Sequence, residues 1–163
     1  MGGPSCAGTR PASPRSLESC DSHNTKCYRQ RVRVFALPQV TRLLRKERLP
    51  DVILCRAARE VVDGVLGTGE ADLGGGLFKK RVARPGSGKR GGYRAIVAYR
   101  RPREERVLFA YAFAKNAAST LTVTGQEALS VTAGAFTAAT DAQLRALLDA
   151  GEMREVICDG DEG

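Results

Sequence analysis

The chain has 163 residues, 42% of them hydrophobic, and carries 26 Lys and Arg against 18 Asp and Glu, a formal charge of +8 with one His and no Trp. That length supports one core of ordinary size, and the composition excludes collagen-like, mucin-like and wholly disordered chains. No stretch reaches the roughly 18 apolar residues of a spanning helix, and the first thirty residues hold no apolar signal region, so neither membrane insertion nor secretion is expected and the expected location is cytoplasmic.

Residues 1–30 are rich in Ser, Pro, Gly and Arg, lack helical or strand periodicity, and read as a disordered or non-native extension. From Arg31, RVRVFAL alternates as a short strand does, and Pro38 suits the first turn of a helix reaching about Leu49. Asp51 can cap a second helix, with Leu54, Ala58, Val61 and Val65 at helical spacing and Gly67 as its left-handed stop. Together these predict an N-terminal helical hairpin. After the Gly-rich turn LGGG come the strand LFKKRVA, the loop RPGSGKRGG and the strand YRAIVAYRR. RPREE then turns the chain, since Pro102 and its charged neighbours do not fit inside a ladder. The third strand, VLFAYAFAK, is apolar on both faces, Val107/Phe109/Tyr111/Phe113 and Leu108/Ala110/Ala112/Ala114, which predicts a central strand covered on both sides.

Thr124 with Glu127 and Thr140 with Gln143 have capping-box spacing, so helices are predicted from about Gly125 to Phe136 and from Asp141 to Ala150. Gly151 ends the second of these, MREVI is a candidate edge strand, and residues 159–163 form an acidic tail. The order predicts an α+β fold in a single domain over residues 31–158: a helical hairpin packed on a small antiparallel sheet, followed by C-terminal helices.

Charge is unevenly spread along the chain. Residues 1–50 hold 10 basic and 3 acidic groups, residues 51–75 hold 2 and 5, residues 76–106 hold 11 and 2, and residues 107–163 hold 3 and 8. A segment of 31 residues carrying +9 exceeds an ordinary solvated face, which mixes both signs. A polyanion, RNA or DNA, is the expected partner. Alternation puts Lys79 and Arg81 on one face of their strand and Lys80 and Arg84 on the other, while Arg94 and Arg100 project with Ile96 and Ala98. Arginine forks suit phosphodiesters. Lys89 and Arg90 lie in the loop, Tyr93 and Tyr99 offer rings for base stacking, and Lys115 and Asn116 stand at the tip of the third strand.

Other chemistries fit less well. Gly86, Gly88 and Gly91 make a literal G-x-G-x-x-G, but strand residues follow it where a dinucleotide site needs a helix. The phosphate-loop pattern fails because Lys89 precedes Arg90 and position 83 is Ala. His23 lies alone in a polar stretch, which argues against a histidine base. The five cysteines (Cys6, Cys20, Cys27, Cys55 and Cys158) include no C-x-x-C pair and predict free thiols in a reducing compartment. Cys20 and Cys27, seven apart with His23 between, lack zinc spacing. No metal or cofactor is expected.

The series LGGGLFKKRVARPGSGKRGGYRAIVAYRR followed by FAYAFAKN resembles the RelE/HigB-type toxins of bacterial toxin–antitoxin pairs, as does the ending TDAQLRALLDAGEMREV. The resemblance spans roughly Arg31 to Ile157. It implies a compact α+β fold and a hydrolase that inhibits translation as an mRNA endoribonuclease, commonly in the ribosomal A site. It also implies metal-free attack of the ribose 2′-oxygen on phosphorus. The family's catalytic lysine pair matches Lys79 and Arg81, with Lys80 between them; Arg94 matches the arginine of G-Y-R, and Lys115 the strand-end lysine. An arginine does not give up its proton under these conditions, so Lys79 or Lys80 is the expected base, provided neighbouring cations depress its pKa. Where several members have Arg after the strand-end lysine this chain has Asn116, and no C-terminal Tyr is present to stack a base, so the acid is unassigned. The implied partners are mRNA, the ribosome and a cognate antitoxin of helix-turn-helix type presenting an acidic or apolar surface. Two alternatives are a ParE-like toxin that binds gyrase without nuclease activity, and a non-catalytic nucleic-acid-binding module.

Overall fold

The computed structural model describes residues 32–64, 70–86, 92–100, 105–116 and 121–158. The extension over 1–30, Val65, Gly67, Lys89, Arg90, most of RPREE and the acidic tail lie outside the described residues. Within them run β1 (Arg33–Ala36), α1 (Pro38–Lys46), α2 (Val52–Val62), β2 (Ala71–Gly74) and β3 (Leu77–Ala83), followed by β4 (Gly92–Arg100), β5 (Arg106–Ala114), α3 (Val123–Ala138), α4 (Asp141–Asp149) and β6 (Arg154–Val156).

These elements make an α+β fold around a six-stranded sheet of order β2-β3-β4-β5-β1-β6. The expected antiparallel sheet is corrected to a mixed one, because β1 lies parallel to β5, with Val34 opposite Val107. Only a tight turn forces neighbouring strands to be antiparallel; β1 and β5 are joined through two helices and three strands. β6 is the edge strand expected from MREVI and runs antiparallel to β1. LGGG is more than a turn: Ala71–Gly74 is an edge strand on β3, and Gly75 and Gly76 turn the chain at φ of +62° and +77°. At the other end of β3, a Cβ on Gly92 would sit 2.9 Å from the Val82 carbonyl oxygen, so the start of β4 requires glycine.

β5 is central and covered on both sides, as its two apolar faces predict. On one side Val107, Phe109 and Ala112 join Tyr93, Ala95 and Val97 of β4 against α1 and α2. On the other, Leu108 joins Phe35, Leu77, Ile96 and Ala98 against Ala133 and Phe136 of α3 and Leu144 of α4. Each fully buried side chain of this size contributes about 1.5–3 kcal/mol. The ring of Phe35 meets that of Phe136 edge-on at 5.5 Å.

The predicted helix ends shift by a few residues at Lys46, Val62 and Val123, while Asp51 keeps its predicted position at the start of α2. Asp51 precedes α2 without capping it; both its carboxylate oxygens are taken by the Arg154 guanidinium, at 2.7 and 2.8 Å. α2 stops at Val62, with Gly64 left-handed at φ +72°. The first C-terminal helix begins at Val123 and is capped by Thr122, whose oxygen accepts from the Gly125 N–H, so Thr124 is already inside it. Thr140 and Gln143 form the predicted capping box, and Gly151 follows α4 at φ +70°.

The Arg154 fork holds the Asp51 carboxyl below its ordinary pKa, chiefly through these hydrogen bonds. A depressed carboxylate stabilises the fold above its unfolded pKa and loses that contribution as pH falls through the lowered value. We expect Asp51→Asn to flatten the acid limb of a stability-against-pH curve below about pH 4. Parallel curves for parent and variant in urea melts would contradict the assignment.

Cys55 and Cys158 form a disulfide between α2 and the residue two beyond β6, 103 positions apart in sequence. The expectation of free thiols is corrected for these two. Count and spacing are blind to cysteines that tertiary packing brings together. A disulfide typically stabilises by about 2–4 kcal/mol, with loops of this length toward the upper end. Cys158→Ser should lose that amount in non-reducing urea melts and little when reductant is present; equal losses in both buffers would argue against a tether.

Candidate functional site

Cross-strand partners share a sheet face, so register decides which of the clustered cations meet. Lys79 lies opposite Ile96 and Arg81 opposite Arg94, while Ile96 in turn faces Tyr111 and Arg94 faces Phe113. Two parallel rows therefore cross β3, β4 and β5 on the α3 side of the sheet: Lys79–Ile96–Tyr111 and Arg81–Arg94–Phe113. Ile96 packs into the core beneath α3, whereas Lys79, Arg94, Tyr111 and Phe113 are half-buried and Arg81 is exposed.

A β-bulge creates the second half of this arrangement. The β4–β5 register shifts between Ile96 and Val97, leaving Ala110 without an opposite residue. An extra residue reverses the alternation beyond it. Val107 and Phe109 face α1 and α2; past the bulge Ala112 and Ala114 do so, and Tyr111 and Phe113 cross to the cationic face. The predicted face Val107/Phe109/Tyr111/Phe113 is thus split in two. Gln39 of α1 holds the strand in its bulged path. Its amide nitrogen donates to the Ala112 carbonyl at 2.9 Å, and its oxygen accepts from the Ala112 N–H at 3.1 Å.

Arg81 and Arg94 stand on adjacent strands, about 4.8 Å apart by ordinary strand spacing. Like charges directly opposite one another destabilise a sheet. Among the described residues none of Lys79, Arg81 and Arg94 pairs with a carboxylate. This is a cost that an anion bound between them would relieve. Such a bound phosphate would be met by Arg forks and a Lys point charge.

The structure takes Lys80 elsewhere. Its side chain points to the opposite face, 1% exposed, and its ammonium pairs with Glu60 at 2.6 Å and Glu70 at 2.8 Å. Glu70 also accepts the Arg81 backbone N–H at 2.9 Å through its second oxygen. β2 has ended by this point, its last partner being Ala71 opposite Lys79, so the carboxylate substitutes for a missing strand and pins the backbone that carries Arg81. Neither glutamate was legible as a partner of Lys80.

Tyr93 is likewise on the α1/α2 face, 5% exposed, with its hydroxyl donating to Glu47 at 2.8 Å. Burial and the Glu47 carboxylate push its pKa up, so it is a neutral core residue away from the cationic rows. Tyr99 packs on that same core. Arg84 is exposed one residue beyond β3, and Lys115 and Asn116 form an exposed turn beyond β5; the Lys115 N–H donates to the Gly92 carbonyl at 3.2 Å. The side chain of Arg100 and all of Lys89 and Arg90 lie outside the described residues. The residues that the strand pattern did not single out are Tyr111 and Phe113. Two rings at i and i+2 beside the G-Y-R strand were the available signal.

A family model described as the RelE toxin of the RelE/RelB toxin–antitoxin system matches residues 32–156. No curated protein matches the chain significantly. Among the described residues no helix is long and apolar enough to cross a membrane.

Proposed function

Because the chain belongs to the RelE toxin family, we propose that it is a metal-independent mRNA endoribonuclease acting at the ribosome, with the Arg81–Arg94 row and Lys79 as its reaction centre. The observation that carries this reading is the juxtaposition of Arg81 and Arg94 across two strands, neither of them paired with a carboxylate among the described residues. In the proposed reaction the ribose 2′-oxygen attacks the adjacent phosphorus and gives up its proton. The bond from phosphorus to the 5′-oxygen breaks, and that oxygen takes a proton, leaving a 2′,3′-cyclic phosphate and a 5′-hydroxyl. Negative charge grows on the non-bridging oxygens, and fixed guanidinium groups stabilise it.

Of the three cations only Lys79 can serve as the base, since a guanidinium does not release its proton. Lys80, held by Glu60 and Glu70, is assigned to the support of the strand. Lys115, Arg84 and Asn116, exposed just past the Arg81–Arg94 row at the same end of the sheet, are the proposed flanking RNA contacts. The partner is a cognate antitoxin, for which a helix-turn-helix protein with an acidic surface matches the basic segment. The test is incubation of the purified protein with translating ribosomes in the presence of an EDTA level that spares them. Discrete message cleavages ending in cyclic phosphate are expected. Intact messages, with or without DNA damage in cells, would overturn the reading.

A further inference from the structure

We infer that Phe113 is a nucleobase platform: the base beside the phosphate held by Arg81 and Arg94 stacks on its ring. This rests on the proposed RNA-binding role of the same face. Phe113 completes the Arg81–Arg94 row on β5 and remains half-exposed. It belongs to neither apolar core, whereas the neighbouring Tyr111 packs against the α3 core. An aromatic ring that joins no core and lies one strand from an arginine pair is placed for a ligand that is both flat and anionic.

The geometry also says where the base goes. The Tyr111 and Phe113 rings are 6.0 Å apart and inclined by 41°. A base between two rings needs about 7 Å, twice an ordinary contact distance, and parallel faces. The base therefore lies on the outer face of Phe113, with Tyr111 behind it. The ring is preorganised, because the two Gln39 hydrogen bonds to Ala112 fix the backbone between the two aromatics, and the bulge at Ala110 is what brings both rings to this face. Stacking is tolerant of base identity, so the platform supplies affinity and placement of the scissile phosphate with little sequence preference.

The chain contains no Trp, so Phe113→Trp installs a single reporter. The probes are a short 2′-O-methyl oligoribonucleotide, which cannot be cleaved, and an abasic oligomer of the same length and charge, both followed by anisotropy at low salt. The Trp fluorescence should be quenched by the first and not by the second. Phe113→Leu should weaken the base-bearing probe roughly 5- to 150-fold and leave the abasic probe unchanged. If both probes bind the parent but Phe113→Leu weakens them equally and Phe113→Trp is not quenched, the platform is wrong while RNA binding stands. If neither probe binds the parent protein, the RNA reading of the face fails and the platform fails with it.

Discussion

Arg94→Ala should lower message cleavage on translating ribosomes by about 100- to 1000-fold, the loss typical of removing one preorganised donor to a developing oxyanion. Arg94 is the middle of its row, with Arg81 on one side and Phe113 on the other, so neither neighbour can occupy its place without the sheet shifting. Arg94→Lys should fall between parent and alanine variant, because it keeps the charge and loses the bidentate fork. Lys79→Ala removes the proposed base and should cost about 100- to 10,000-fold. Lys79 and Arg94 are half-buried and belong to neither apolar core, so urea midpoints should move little and the loss is chemical. Single-turnover cleavage followed by primer extension is the measurement. An Arg94→Ala protein that cuts at the parental rate would remove the row from the mechanism.

Lys80→Met should destabilise the protein by about 3–5 kcal/mol, because it strips the ammonium from a buried cluster and leaves a carboxylate without its countercharge. Glu70 bears the effect, since its side chain is 3% exposed whereas that of Glu60 is 53% exposed and can be solvated. Adding Glu70→Gln should recover a large part of the loss. A glutamine is uncharged and its oxygen can still accept the Arg81 N–H that Glu70 accepts now. Urea melts at constant slope separate these cases. A Lys80→Met protein within about 1 kcal/mol of the parent would show that the cluster is solvated. The same variant distinguishes the adjacent lysines: assayed well below its melting temperature, Lys80→Met should retain cleavage to within a few-fold, where Lys79→Ala does not.

The resemblance matches the catalytic pair to Lys79 and Arg81 and leaves Lys79 and Lys80 as alternative bases, and strand alternation already puts those two on opposite faces. Only the packing of α2 and the chain before β2 shows which face is buried, because Glu60 and Glu70 are 20 and 10 residues from Lys80 and carry no local signature. Tyr93 departs from its expected surface place for a related reason. Tyr93 has the chemistry of a stacking residue, and a hydroxyl on a half-apolar ring suits a core edge equally well; Glu47 at the end of α1 decides the matter.

By itself the sequence determined the strands β3, β4 and β5, the capping box at Thr140, the edge strand at the end, and the concentration of cations between residues 76 and 106. All of these are local: period, turn chemistry and charge act over a few residues. The tertiary structure alone decided that β1 lies parallel to β5, that Cys55 meets Cys158, and that the face carrying Lys80 is the buried one, where a carboxylate pair receives its ammonium. It also decided which face of β5 carries the aromatics. Both faces of that strand are apolar, so alternation could not say which was core, and a single unpaired residue at Ala110 exchanges them. The +9 segment predicts an anion partner, but the composition of the candidate site depends on one bulge and on the register of three strands, which are properties of pairing between distant residues.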